Sequence, residues 1–121
     1  MQDYDSWKSV IDQICSCESI ASSSLHGLII SDAYHVPNTR ILLSTLIEGG
    51  DFKYLDYFAS VHREDTIPLD FTHSISLPSL NSSLENYKAI CFDVRPLLSA
   101  FPYKLSPAFE RLLRKNSTLY V

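Results

Sequence analysis

Apolar side chains near the start of the chain recur at helical spacing. Trp7, Val10, Ile11 and Ile14 stand at positions i, i+3, i+4 and i+7, which is the stripe of an amphipathic helix. We expect this helix to cover one face of a sheet. The following residues 19–24 are rich in serine and predict a connecting loop.

The middle of the chain predicts a strand, a helix and a second strand. Residues 25–31 form a short apolar run without alternation, typical of a strand buried on both faces. Helical spacing of apolar residues after Pro37 predicts a helix over residues 39–48, which ends at two glycines. Residues 52–61 are rich in aromatic strand formers and predict the second strand. Together these segments predict a βαβ unit with parallel strands.

Three further segments have weaker patterns. Residues 71–77 lie between two prolines and predict an edge strand or an extended loop. Residues 79–86 are polar and predict a loop or one helical turn. Residues 88–94 predict a third buried strand that ends in an acidic residue, and the proline at position 96 prevents its continuation as a central strand.

The C-terminal part of the chain predicts one more helix. Ser106 is a good N-cap residue and Pro107 suits the first helical position. Residues 118–121 predict a possible final strand. The whole pattern predicts a single α/β domain over residues 1–121, with a small, mostly parallel sheet and helices on both faces.

Composition supports one domain that needs no cofactor. The chain has 121 residues, of which 45% are hydrophobic and 20% charged, so it can bury a core without metal or disulfides. No run of residues reaches the length of about 18 apolar residues that a membrane span requires. The acidic N-terminus lacks the features of a signal peptide. We therefore expect no membrane association and a location in the nucleus or the cytoplasm.

Glycine and cysteine exclude several common sites. The chain has three glycines, Gly27, Gly49 and Gly50, so neither the dinucleotide fingerprint nor the Walker loop is possible.

Its three cysteines, at positions 15, 17 and 91, are an odd number and predict reduced thiols. Cys15 and Cys17 with His26 lack the second ligand pair of a zinc site, and Cys15 and Cys91 are expected to be buried. We predict no metal.

Charge is distributed unevenly along the chain. Residues 1–90 are acidic overall, whereas residues 91–121 are basic. Nucleic acid would therefore bind only through the C-terminal third, where an accessory nucleic-acid-binding role is one hypothesis. Arg111, Arg114 and Lys115 also stand in a predicted last helical turn, where the helix dipole favours cations without any ligand.

Three residues are candidates for chemistry. Asp32, His35 and Asp93 follow or end predicted strands, and ligands of parallel sheets gather at the carboxyl ends of strands. Two carboxylates and a histidine there predict, as an alternative function, a small metal-dependent hydrolase or phosphotransfer domain. The competing interpretation is that the aspartates only cap turns or helices. We expect no catalytic residues.

Two segments are candidates for binding a partner. The aromatic segment contains Tyr54, Tyr57 and Phe58, and the last helix contains Arg111 and Arg114. Aromatic residues and arginine are enriched at interaction hot spots, although large rings between a sheet and its helices are also ordinary core residues. We take these five residues as the predicted partner surface.

The order of these segments resembles a reduced RecA-type ATPase core over about residues 25–101. The resemblance is carried by the strand at 28–32, the irregular loop at 33–40, the helix at 39–48, the strand at 54–61, and the segment 89–93 followed by residues 94–101. The loop stands in the place of the phosphate loop but lacks its glycines and lysine. In such degenerate branches, which include Elongator's small RecA-like subunits and the Shu-type recombinase paralogues, the domain serves hetero-oligomer assembly.

The resemblance implies a non-catalytic, protein-binding subunit of a hetero-oligomeric complex. DNA repair by homologous recombination is the process that it implies first, with nucleic acid contacted through the complex. The alternative is an Elongator-like accessory subunit in tRNA modification.

Overall fold

A small parallel sheet and six helices make up the part of the chain that the computed structural model describes, residues 7–46 and 50–115. The α/β class predicted from the sequence is confirmed. The elements in chain order are α1 (Trp7–Cys15), β1 (Ile20–Ser22), α2 (Leu25–Ala33), β2 (Asn38–Leu42), α3 (Phe52–Ser60), β3 (Leu69–Asp70), α4 (Leu77–Glu85), α5 (Arg95–Ser99) and α6 (Pro107–Lys115). Within these ranges every helix is too short or too polar to cross a lipid bilayer.

The three strands lie in sequence order, β1-β2-β3, and both pairs are parallel. Ile20 of β1 is in register with Asn38 of β2, and Ile41 of β2 with Leu69 of β3. A parallel pair needs a crossover connection, and α2 and α3 provide the two crossovers.

Side chains of the central strand β2 show which helices cover each face of the sheet. The Asn38 amide donates a hydrogen bond to Asp32 of α2, whereas the neighbouring Thr39 hydroxyl lies 2.6 Å from the Ser83 hydroxyl of α4. Because successive side chains of a strand point to opposite faces, α2 and α4 lie on opposite sides. Helices therefore cover both faces of the sheet.

The core lies between the sheet and the helices α2 and α3. Leu28 of α2 and Tyr54 and Phe58 of α3 form the buried apolar cluster, and Leu25 and Tyr57 pack against it. These residues stand at helical spacing along each helix, so a single face of each one is apolar.

Helix α2 approaches the end of β1 very closely. A Cβ atom at Gly27 would lie 2.4 Å from the Ser22 hydroxyl oxygen, so a larger residue here would require the Ser22 side chain or its surroundings to shift. The Ser22 hydroxyl is itself held in place, because it accepts a hydrogen bond from the Ser24 amide at 3.0 Å.

The predicted βαβ unit in the middle of the chain is wrong element by element. Residues 25–31 lie in helix α2, residues 38–42 form strand β2 where a helix over residues 39–48 was predicted, and residues 52–60 form helix α3 instead of a strand. The order of the elements is thus shifted by one, while the parallel βαβ arrangement itself is present.

The remaining segments are a mixture of confirmed and corrected predictions. Helix α1 is confirmed, and so is α6, where the Ser106 hydroxyl accepts a hydrogen bond from the Phe109 amide at 3.3 Å. The serine-rich loop contains strand β1, residues 79–86 lie mostly in α4, and residues 71–76 are irregular. Residues 88–94 form no regular strand. Within this segment a single residue, Asp93, makes a bridge, and Cys91 is exposed. Residues 118–121 lie outside the described residues.

Candidate functional site

The most densely bonded group of the described chain is the buried carboxylate of Asp32, near the end of α2. Its side chain has no solvent exposure. Its oxygens accept hydrogen bonds from the Asn38 amide at 2.6 Å, the Tyr57 hydroxyl at 2.8 Å and the Tyr87 hydroxyl at 2.9 Å. One nitrogen of Arg63 donates to both oxygens, at 3.1 and 3.0 Å. The carboxylate is therefore fully surrounded by donors.

Arg63 is the counterion of this network and connects it to the surface. Its guanidinium donates to the Asn38 side-chain oxygen at 2.7 Å and to both oxygens of Asp65, and it lies 4.7 Å from the Phe58 ring centroid. Burial alone would lower the pKa of Arg63, but the hydrogen bonds with Asp65 and the charge of Asp32 raise it overall. Arg63 therefore stays charged.

Tyr57 and Tyr87 complete the network, and the pKa of each tyrosine hydroxyl is raised above its ordinary value. Burial raises the pKa of both phenols, and the charge and hydrogen bonding of Asp32 raise it further. A phenolate next to a buried carboxylate is disfavoured by desolvation and by repulsion between like charges. Both hydroxyls therefore remain donors to Asp32 at neutral pH.

The cap of α2 explains the position of His35. Its backbone has a φ of 57°, in the left-handed region. The His35 amide donates to the Asp32 carbonyl at 3.1 Å, and the Val36 amide donates to the Ser31 carbonyl at 2.8 Å. This pair of hydrogen bonds is a Schellman motif, in which the left-handed residue is usually glycine. His35 thus ends a helix, and its side chain is exposed.

Helix α3 ends in the same way at His62, whose φ is 58°. The His62 amide donates to the Ala59 carbonyl at 3.3 Å, and the Arg63 amide donates to the Phe58 carbonyl at 2.8 Å. The chain reverses at this cap and so places Arg63 beside Asp32. The helix end is therefore the local device that positions the buried counterion.

The structure does not bring the three predicted chemical residues together. The Asp32 carboxylate accepts hydrogen bonds from four partner side chains, and His35 lies at the helix end. Asp93 pairs with Arg95 on the surface, and hydrogen bonds from the Arg95 side chain and amide lower its pKa to about 2. Among residues 7–46 and 50–115, no group of three His, Cys, Asp or Glu could hold a metal ion. This geometry gives no support to the metal-dependent alternative.

The predicted partner residues fall into two sets. Tyr54 and Phe58 are 2% and 0% exposed and belong to the core, so neither side chain is accessible to a partner. Tyr57 is half-buried and bonded to Asp32. Arg111 and Arg114 of α6 are exposed. The aromatic segment is core because its rings lie on one face of a helix, whereas the arginines remain available.

The cysteines also differ from expectation. Cys15, Cys17 and Cys91 are free thiols, and all three are exposed. The predicted burial of Cys15 and Cys91 is wrong, because Cys15 is on the outer side of α1 and the segment around Cys91 forms no buried strand.

A cavity of about 380 Å³ lies outside the carboxyl ends of β1 and β2. Its polar lining comes from Ser23, Ser24 and His26 at the start of α2, from Ser44 after β2 and from Lys53 of α3. None of these residues was among the predicted site residues, because the strand ends were predicted elsewhere in the sequence. The signal was present in the three consecutive serines before an apolar helical stripe, a pattern typical of a helix start.

No family model, curated protein or solved structure matches this chain.

Proposed function

We propose that this chain is a non-catalytic subunit that binds a partner protein through its C-terminal segment, residues 95–115. The observation that carries the proposal is the exposed apolar surface of this segment. Leu97 is 65% exposed, Phe101 51%, Tyr103 74% and Phe109 43%. Neither α5 nor α6 packs extensively against any other described element.

The chemistry of the segment favours a protein partner. The Phe101 and Tyr103 rings pack edge to face, with centroids 5.8 Å apart, and Arg111 and Arg114 stand exposed on the adjoining helix. Aromatic residues and arginines carry much of the binding energy in protein interfaces. The complementary partner surface would combine an apolar groove with acidic residues.

The processes implied by the RecA-type resemblance do not enter this proposal. The segments that carry that resemblance form other elements in the structure: helix α2 replaces the first strand and helix α3 replaces the second. The chain is therefore proposed as an assembly subunit, with residues 95–115 as its partner surface. DNA repair and tRNA modification stay predictions from the sequence.

Site-specific photo-crosslinking in the source cells tests this function. A photoreactive amino acid at Tyr103 should give one adduct of defined size, and the charge reversal Arg114→Glu in the same chain should abolish it. The matched control carries the photoreactive residue at Asp56, which is exposed on α3, and should give no adduct.

Light scattering of the purified complex then gives its stoichiometry. A single heteromeric species that contains the crosslinked protein supports the proposal. A monomeric chain in the cell extract, with no adduct at Tyr103 above the level seen at Asp56, overturns it.

A further inference from the structure

An apolar groove of about 370 Å³ lies beside the end of α3. It is lined by Ile29 and Ala33 of α2, by Val61, which follows α3, and by residues of the segment 90–94. Ala33 is exposed and Val61 is buried, so the groove extends from the surface toward the core. No charged side chain of the described part of the chain lines it.

Alternate residues of the segment 90–94 face the groove. Three of them line it: Ile90, Phe92 and Val94. Cys91 instead lines a separate cavity, and such alternation is typical of an extended chain. The Cys91 amide donates a hydrogen bond to the Val61 carbonyl at 3.4 Å. This hydrogen bond holds the segment against the end of α3 and so fixes one wall of the groove.

The polar residues of the lining, Tyr57 and Ser60, use their hydroxyl protons within the chain. The Tyr57 hydroxyl donates to Asp32 at 2.8 Å, and the Ser60 hydroxyl donates to the Tyr57 carbonyl at 2.7 Å. A carboxylate or a carbonyl placed in the groove would therefore lose water without gaining a donor, and a cation would meet no carboxylate. The groove thus favours an apolar occupant.

The groove continues into the proposed partner surface. Val94, which lines the groove, is the N-cap residue of α5, and the Leu98 amide donates to the Val94 carbonyl at 3.0 Å. Leu97, in the same helix, is 65% exposed. A protein bound to residues 95–115 therefore reaches the groove where α5 begins.

We propose that the partner protein inserts a large apolar side chain into this groove, as the anchor of its contact with residues 95–115. The inference rests on the proposed function and adds the chemistry of the partner. A few large side chains that fill pockets carry most of the binding energy of a protein interface. The volume of the groove, about 370 Å³, is within the size range of ligand pockets.

The charge of the partner surface indicates what accompanies the anchor. Residues 95–115 contain five basic residues and one acidic residue, and Arg111 and Arg114 are exposed among them. Complementary charges select a partner and speed its association, so we expect acidic residues next to the anchor. The occupant is therefore an acidic segment of the partner protein with at least one large apolar residue.

Photo-crosslinking in the source cells tests the groove directly. A photoreactive phenylalanine analogue at Phe92, which is half-buried and lines the groove, should capture the same protein as the photoreactive residue at Tyr103. The matched control has the analogue at Phe52, which is 76% exposed on α3 and outside the groove, and should capture nothing. Mass spectrometry should place the Phe92 crosslink in an acidic segment with a large apolar residue.

Binding of that segment, made as a synthetic peptide, to the purified full chain measures the contribution of the groove. Ala33→Trp should weaken binding by at least about tenfold, because the indole occupies the groove. Ala59→Trp makes the same substitution at an exposed alanine of α3 outside the groove and should leave binding unchanged. Circular dichroism checks that both variants are folded.

The possible outcomes separate this inference from the proposed function. An adduct at Tyr103 with none at Phe92, or equal peptide binding by Ala33→Trp and Ala59→Trp, would overturn the groove as an anchor site and leave the partner surface in place. A Phe92 adduct with a second copy of this chain, or a crosslinked segment without acidic residues, would overturn the assignment of the occupant. No adduct at either Tyr103 or Phe92 would overturn the proposed function together with this inference.

Discussion

Arg63 donates two hydrogen bonds from one nitrogen to the carboxylate of Asp32, at 3.1 and 3.0 Å, across 31 positions of sequence. Both side chains are almost completely withdrawn from solvent. A buried ion pair contributes little net stability when both partners are present, but removing one of them leaves an uncompensated charge. The pair therefore fixes how the end of α3 sits against α2.

Asp32→Asn should destabilise the fold by about 3–5 kcal/mol, because Arg63 and the hydroxyl donors lose the carboxylate that they surround. Urea unfolding followed by circular dichroism measures this change. The matched control is Asp93→Asn, which removes a carboxylate from the exposed pair with Arg95 and should leave the free energy of unfolding nearly unchanged.

The double variant Asp32→Asn with Arg63→Met separates the ion pair from packing. If the two residues interact as the structure shows, its loss of stability is smaller than the sum of the two single losses. Additive losses would contradict the direct contact, and an Asp32→Asn variant as stable as the wild type would contradict the buried network as a whole.

The two tyrosines of the network predict a loss of stability at high pH. The folded state raises the pKa of Tyr57 and Tyr87 above the ordinary value of 10.0, so their contribution is complete below pH 10 and is lost as the pH rises from there. Unfolding free energies measured by urea between about pH 8 and 11 should fall at the upper end. Tyrosinate absorbance should show two tyrosines that titrate late.

The double variant Tyr57→Phe with Tyr87→Phe should be less stable at neutral pH and should flatten this pH dependence. Tyr103→Phe is the control, because Tyr103 is exposed and should leave the profile unchanged. A pH profile of the double variant that still falls as steeply as the wild type above pH 10 would assign the effect to other groups.

The class of the fold follows from the sequence, but the identity of its central elements does not. The helical spacing of Tyr54, Tyr57, Phe58 and Val61, at i, i+3, i+4 and i+7, is present in the sequence and corresponds to the inner face of α3. The strand propensity of aromatic residues depends strongly on tertiary context. In this segment the helical spacing of the apolar residues predicts the observed structure better than their strand propensity does.

Polar residues inside the core account for the other errors. Asp32 on the inner face of α2, and Asn38, Thr39 and Arg40 in β2, are all buried. When these polar residues are assigned to the surface, the sequence predicts a strand in place of α2, and a loop and a helix start in place of β2. Partners that lie far away in sequence, Arg63 for Asp32 and Asn38 and Ser83 for Thr39, help to make burial of these groups favourable.

The local sequence around Asp32 is compatible with two different kinds of site. Asp32 and His35 are three positions apart, a spacing that fits either a metal site or a helix end. The structure at these residues depends on their backbone angles and on the positions of Tyr57 and Tyr87. Neither can be predicted from the sequence around Asp32. Arg111 and Arg114, in contrast, stand on a helix whose start signals are local and confirmed.

Two phenylalanines on α3 give a direct test of its inner and outer faces. Phe58 is fully buried and Phe52 is 76% exposed. Phe58→Ala should destabilise the fold by about 3–5 kcal/mol, because it removes a large side chain from the core and leaves a cavity. Phe52→Ala, measured by the same urea unfolding, should have a small effect. Similar losses for both variants would contradict the orientation of this helix.

The histidines at the two helix ends provide the last test. His35 and His62 have positive φ angles, which cost a residue with a side chain roughly 1–2 kcal/mol relative to glycine. His35→Gly and His62→Gly should therefore be more stable than His35→Val and His62→Val by about 1–2 kcal/mol in thermal or urea unfolding, since branching at Cβ adds to the clash. At His73, whose φ is not positive, the glycine variant should have no such advantage over valine. A valine variant that matches glycine in stability at either position would mean that the helix does not end in a left-handed residue there. At His62, that outcome would also contradict the cap that places Arg63 beside Asp32.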